Sequence, residues 1–314
     1  SCTKPSHITL TIQTNIDKLI QNNLKNQGNI MTIRIATIQL NSQTDIDANL
    51  GIINNAISEA AACDAKFIVL PENACVMGRQ SQLATRYDEI CQFYQSLAKT
   101  YGVHLLAGTL PCPTRPDGSD VPCDLVRQVS LLIDDQGNIK ARYDKIHLFR
   151  ATIDDSTGNY DEGKTFEHGS RLVCEPCVIH GQTINVGMMI CFDVRFPAFA
   201  QRLRQMGADI ITVPAAFTHR TGQAHWQMLL QARALDSQCL IIGSAQGGIH
   251  QIGNSIRQTW GHSMIVNAHG QIIADSGRTE VADNGYCIAY ADYDADRQAK
   301  IRAAMPIFDC HHLA

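Results

Sequence analysis

Three residues in this chain are of the types that do chemistry together: a thiol, a carboxylate and an ammonium, each close to the end of an apolar run. Cys191 follows the run Ile184–Ile190 and opens the string Cys191-Phe-Asp-Val-Arg-Phe-Pro197. Glu72 follows Phe67-Ile-Val-Leu70 and Pro71, and Lys145 begins Lys145-Ile-His-Leu-Phe149 just after Tyr143. Open α/β sheets present reacting groups where their strands end. A thiol, a base to take its proton and a cation to hold an oxyanion are the parts of a cysteine hydrolase. Each residue alone has a plainer reading. A cysteine at a strand end packs as a small apolar group, a loop glutamate is solvated, and a lysine keeps its head in water.

The elements that must position these residues follow from periodicity. Ile33–Ile38 carries β-branched residues in partial alternation and reads as a strand. Ile46, Leu50, Ile53 and Ile57 recur at helical spacing toward Ala62. Phe67–Leu70 is a short apolar strand, and a second helix through Ile90, Phe93 and Leu97 stops near Gly102. Val103–Leu110 reads as a strand, and Pro111–Cys123, with four prolines, as a loop. Val129–Ile133 and Asn138–Tyr143 form a hairpin around Asp134–Gly137. Ala151–Gly169 reads as a long irregular crossover.

Beyond it come the strand to Cys191, a helix from Pro197 to about Met206 and the strand Ile210–Val213. A helix through Trp226, Leu229, Leu230 and Ala234, the strand Cys239–Ser244, a hairpin (Ser263–Asn267 with Gln271–Asp275) and the strand Tyr286–Tyr290 complete the series. Strands and helices interleave without a dividing linker or an internal repeat. The fold class is therefore α/β in a single domain.

Composition narrows the partners. The chain has 314 residues, 45% apolar and 18% charged, enough for a large packed core. A net charge of −4 and a pI near 6.3 give no electrostatic case for nucleic acid or an anionic membrane. No apolar run approaches the roughly 20 residues that span a bilayer. Twelve cysteines are scattered rather than arranged as a small disulfide framework, which favours a reducing cytoplasm. Residues 1–30, rich in Asn, Gln, Thr and Lys, stand apart as a poorly ordered N-terminal extension. Ile16, Leu19, Ile20 and Leu24 allow one weakly amphipathic helix there, and the segment lacks the features of a signal peptide.

The strings around Glu72, Lys145 and Cys191 together resemble the nitrilase, or carbon–nitrogen hydrolase, superfamily, and the likeness runs from Met31 to the end. It implies a four-layer α-β-β-α sandwich over 31–314, a Glu–Lys–Cys triad and no cofactor. With all three partners present, the packing reading of Cys191 gives way to that of nucleophile. Glu72 becomes the general base. Lys145 becomes the oxyanion holder, aided by the backbone N–H of Phe192. Glu162, in Tyr160-Asp-Glu-Gly-Lys-Thr165, matches a second family glutamate that positions the lysine, although Gly163 stands where the family often has serine. His147 belongs to the family's Lys-x-His string and is expected to be structural rather than the base.

For substrate binding the candidates are Arg195, Phe192, Phe217, Thr221 and His225. Arg195 is the best carboxylate-reading cation, since guanidinium forms bidentate pairs, though a structural salt bridge is nearly as good a reading. Thr221, His225 and Trp226 serve equally well as packing or capping groups, and Arg233 as an ion-pair partner. Cys174-Glu-Pro-Cys177 lacks a second pair at zinc-site spacing, and Cys310-His-His312 sits at the end of the chain. No metal is expected.

Four strings, Cys191–Pro197, Thr221–Trp226, Ser244–Gly247 and Trp260–Ser263, look most like the branch that hydrolyses deaminated glutathione to 2-oxoglutarate and cysteinylglycine. The omega-amidase branch, acting on 2-oxoglutaramate, is the near alternative, and a nitrilase or N-carbamoyl hydrolase a more distant one. A silent binding or scaffold protein is the alternative of a different class, and the intact triad argues against it. The resemblance also implies a homodimer, with Met305-Pro-Ile-Phe308 similar to a family arm that crosses between subunits.

Overall fold

The computed structural model describes residues 32–314, apart from 79, 123, 156, 157, 311, 313 and 314. The extension 1–30 expected above, with its weak helix, lies outside the described residues.

Ile33–Ala314 forms one compact unit built on two central sheets. In the first, the strands run in the order Tyr286–Tyr293, Ile33–Leu40, Phe67–Val69, His104–Leu106, Arg127–Ile133 and Leu110–Cys112, with Ile139–Asp144 also paired to Arg127–Ile133. In the second the order is Ile272–Asp275, Met264–Val266, Leu240–Ala245, Ile210–Ala215, Gln182–Met188 and Cys174–Ile179. The strands that carry the chemistry are parallel to a neighbour: Phe67–Val69 to Ile33–Leu40, and Gln182–Met188 to Ile210–Ala215.

Side-chain alternation assigns the layers. Ile33, Ile35, Phe67 and Val69 share a core with Val186, Met188 and Ile210, so the two sheets pack face to face. Ala36, Ile38, Ile68 and Leu70 point the other way, onto Ile53 and Ile57 of helix Ile46–Ala62 and Ile90 and Tyr94 of helix Tyr87–Tyr101. The other face of the second sheet, with Gly187, Ile211 and Gly243, packs against Leu203 of helix Pro197–Gln205 and Trp226 and Leu230 of helix His219–Ser237. The result is the four-layer sandwich. Two hydrogen bonds cross between the sheets: Thr37 Oγ1 donates to the Gly243 carbonyl at 3.0 Å, and Ser244 Oγ to that of Ile38 at 2.6 Å.

Several elements depart from the periodic reading. The stretch Val103–Leu110 is broken after Leu106, because Gly108 turns left-handed at φ +61° directly against Pro71. A Cβ there would overlap the Pro71 carbonyl oxygen. Pro111 and Cys112 are not loop but edge strand, paired with Gln128 and Arg127. An edge position tolerates the missing proline N–H. The crossover after Phe149 contains a ribbon, Arg150–Thr152 with Asn159–Asp161. The hairpin Gly247–Ile252 with Ser255–Trp260 and the helix Ala295–Ala304 are further additions. No helix among the described residues is long and apolar enough to cross a membrane.

Candidate active site

Glu72 sits on the turn that ends strand Phe67–Val69, and that turn is tied down from several sides. Gln246, wholly buried, donates Nε2 to the carbonyls of Glu72 at 3.0 Å and Asn73 at 3.2 Å. The Asn73 N–H donates to Thr109 Oγ1 at 2.8 Å, and its Oδ1 accepts from Gln128 and Gln80 at 3.1 Å each. Asn73 takes a φ of +58°, which asparagine tolerates better than most residues. The carboxylate of Glu72 is thus a rigid, buried group, 2% exposed, rather than a solvated loop acid.

Lys145 lies just past strand Ile139–Asp144 with its side chain sealed from water. Nζ is 2.8 Å from Glu72 Oε1 and 2.8 Å from Glu162 Oε2. Glu162 opens a short 3-10 turn after Asn159–Asp161, and its Oε2 also accepts the Phe149 N–H at 2.7 Å. Burial disfavours the Lys145 ammonium, but Glu162, Glu72 and Cys191 together outweigh it and hold its pKa above the ordinary value. Glu162 moves upward too, through burial and the Glu72 charge, against the pull of Lys145.

Cys191 begins a 3-10 turn, Cys191–Arg195, which follows strand Gln182–Met188 after Met189 and Ile190. Its φ is +46°, a left-handed conformation that costs a non-glycine residue about 1–2 kcal/mol. Asp193 holds the turn in place. Its carboxylate accepts from Tyr143 Oη at 2.6 Å, the Ile190 N–H at 2.9 Å and the His147 N–H at 3.0 Å, and His147 Nδ1 lies 2.7 Å away. The His147 ring stacks on Phe196 with centroids 3.6 Å apart. His147 therefore braces the turn and does not form a dyad with the thiol.

Burial pushes the Cys191 thiol well above its usual range; Glu72 and Glu162 act in the same direction, while Lys145 and a hydrogen bond with the Ala216 backbone oppose them. A protonated thiol can attack only as it gives up its proton. That calls for a base at hand, which Glu72 supplies by position.

Glu72, Glu162 and Cys191 open onto one pocket, which Phe192, Arg195, Phe217 and Thr221 also line. Of the expected binding residues only His225 stands apart: it is exposed, and meets the Arg195 Nη atoms at 3.4 Å through Nδ1. The Arg195 guanidinium lies 5.1 Å from the Phe217 ring and 5.8 Å from that of Phe192. It has no acidic partner among the described residues, so the salt-bridge reading does not apply. Arg233 is the ion-pair residue, bonded to Asp236 and to the Val194 carbonyl of the cysteine turn.

The pocket also holds Phe149 and Arg257, which the sequence reading passed over, and Ala216 and Thr218 on either side of Phe217. Arg257 rides on the hairpin Gly247–Trp260. Its sequence signal was the Gly253-Asn254 pair, a two-residue loop between Ile252 and Ser255. Cys174 and Cys177 lie three apart on an edge strand, so they face opposite sides. No metal-ligand cluster occurs among the described residues.

Comparison with known proteins agrees with this geometry. The family described as "Carbon-nitrogen hydrolase" matches residues 34–303. A deaminated glutathione amidase from Yersinia enterocolitica is 38% identical over 247 residues, 77% of this chain and 82% of that protein. One from a Synechocystis strain is 34% identical over 276 residues, 86% of this chain and 95% of that protein. The crystal structure of Saccharomyces cerevisiae Nit3, a nitrilase-superfamily member, superposes with a TM-score of 0.71 at 26% identity, covering 88% of this chain and 94% of that one. With residues 34–303 matched by that family and relatives of 34–38% identity over most of its length, the chain belongs to the carbon–nitrogen hydrolase family.

Proposed function

We propose that the chain is an amidase that hydrolyses deaminated glutathione to 2-oxoglutarate and cysteinylglycine through a thioester on Cys191. The observation that carries the reading is the buried Lys145 clamped between Glu72 and Glu162, two acids that share their pocket with the thiol of a strained turn. The substrate rests on the relatives that bear that name and on Arg195, a pocket cation with no acidic partner among the described residues.

In this mechanism Glu72 takes the Cys191 proton as sulfur attacks the amide carbon. The oxyanion that forms is held by the Lys145 ammonium and the Phe192 N–H. Glu72 returns the proton to nitrogen, the C–N bond breaks and the amine departs. Water then gives a proton to Glu72 and attacks the thioester carbon, the C–S bond breaks, and the thiol is restored. Glu162 keeps Lys145 in position and charged. Arg195, with Phe217 and Thr221 around it, reads the carboxylate of the acyl half.

The working assembly is a homodimer that packs through helices Pro197–Gln205 and His219–Ser237. Support comes from Met206, Met228 and Leu235, apolar side chains at least 49% exposed on or next to these helices. Residues 31–314 form the catalytic domain, and 1–30 an extension to it. Ten cysteines among the described residues are free, which suits a cytoplasmic enzyme.

A side-by-side assay tests the substrate. Purified protein should release cysteinylglycine from deaminated glutathione with a higher kcat/KM than ammonia from 2-oxoglutaramate. The reverse order would move the chain to the omega-amidase reading, and turnover of N-carbamoyl amino acids alone would overturn both.

A further inference from the structure

We infer that Arg257 is a specificity-determining residue that binds a carboxylate on the departing amine. The inference rests on the peptide-releasing reading above. The pocket is lined by two arginines from different elements, Arg195 and Arg257. Neither has an acidic partner among the described residues, whereas Arg127, Arg142, Arg233 and Arg302 are all paired. The two pocket acids, Glu72 and Glu162, are both engaged by Lys145. Two cations are thus left for the substrate.

Arg257 is held in a fixed pose with donors to spare. Its Nη2 donates to the Ala216 carbonyl at 2.9 Å, and its guanidinium carbon lies 5.7 Å from the Tyr160 ring centroid. Nε is buried without a partner among the described residues. A preoriented guanidinium with an unclaimed edge suits a carboxylate.

The two arginines differ in how they relate to the nucleophile. Arg195 stands four residues from Cys191 on the same turn, which suits it to the acyl half, the part that stays bound as the thioester. Arg257 comes from a two-stranded hairpin that belongs to neither central sheet, which suits it to the half that leaves. An ω-amide with ammonia as its leaving group carries one carboxylate. Deaminated glutathione carries two, one on each side of the scissile bond. A pocket with an arginine for each matches the second.

The test compares deaminated glutathione with its C-terminal carboxamide, which keeps the acyl half and removes the charge from the amine half. Wild type should prefer the carboxylate form in kcat/KM by roughly 10- to 100-fold, the range of one charged hydrogen-bonded pair. Arg257→Gln should bring that ratio close to one, and Arg257→Lys should leave it in between. Arg195→Gln should slow both substrates and keep the ratio. A wild type indifferent to the carboxamide, or an Arg257→Gln ratio equal to wild type, overturns the assignment. The wild-type ratio decides even if Arg257→Gln does not fold. If wild type cleaves 2-oxoglutaramate and not deaminated glutathione, the substrate reading itself fails, and the role of Arg257 falls with it.

Discussion

The Lys145 ammonium lies 2.8 Å from Glu72, with 0% and 3% of the two side chains reached by solvent. A second carboxylate, Glu162, closes on the same nitrogen at 2.8 Å. Removal of the lysine would leave two acids side by side in a low-dielectric pocket. Breaking a buried pair by taking one partner costs about 3–5 kcal/mol.

Lys145→Met keeps the volume and discards the charge. It should lower stability by about 3–5 kcal/mol in urea titration and cut kcat by at least ~10², the cost of one oxyanion donor. The sign with pH follows from the raised lysine pKa. Stability gained from the pair is complete below the ordinary value of 10.5 and is lost as pH rises through the higher folded value. The gap between wild type and Lys145→Met should therefore hold steady from neutrality to about pH 10 and narrow above it. A gap that is already closed at pH 8 would show that the pair does not stabilise the fold.

Cys191 should rest as a thiol. Its pKa stands well above the ordinary 9.0, chiefly through burial. The difference in 240 nm absorbance between wild type and Cys191→Ser should show no thiolate titration across the neutral range and up to about pH 9. A step near neutrality would instead mean a preformed thiolate, and Glu72 would not be needed to take its proton.

The cysteine turn depends on Asp193, which accepts from the buried Tyr143 hydroxyl and the Ile190 N–H. Asp193→Ala strands both donors, and each unsatisfied group costs about 1–3 kcal/mol. Chemical denaturation should report a loss of roughly 3 kcal/mol or more. A loss below about 0.5 kcal/mol, the range of ordinary surface changes, would contradict the role given to this acid.

Gly108→Ala tests the floor beneath Glu72 from a residue outside the pocket. The new Cβ would meet the Pro71 carbonyl oxygen at a φ of +61°. Turnover should fall by tenfold or more, since small misplacement of a reacting group costs about that much or more. Wild-type kcat in this variant would mean that the turn tolerates displacement.

Much of this site was legible because its residues sit where apolar runs stop. Phe67–Leu70 and Ile184–Ile190 are short, dense and bounded, so Glu72 and Cys191 could be placed at strand ends from pattern alone. The helices were legible as well: Ile46–Ala62 and Tyr87–Tyr101 lie where the spacing puts them, the latter ending at the left-handed Gly102. The second sheet was not, because face-to-face packing depends on which side of each strand is covered, and buried runs do not reveal that. Arg257 was missed for a related reason. Its hairpin enters neither central sheet, and Ile249 and Ile256 are exposed, so the strands lack a clear apolar face. Glu162 was found only by resemblance, since the ribbon that carries it is three residues wide on each side.

The central claim is that the acyl half is carried on Cys191. Wild-type protein turning over deaminated glutathione should be quenched in acid, digested and analysed by mass spectrometry. The account predicts a 2-oxoglutaryl adduct on the peptide containing Cys191, absent from Cys191→Ala, which should release no cysteinylglycine above background. Turnover by Cys191→Ala at the wild-type rate, or an acyl adduct on a different residue, would contradict it.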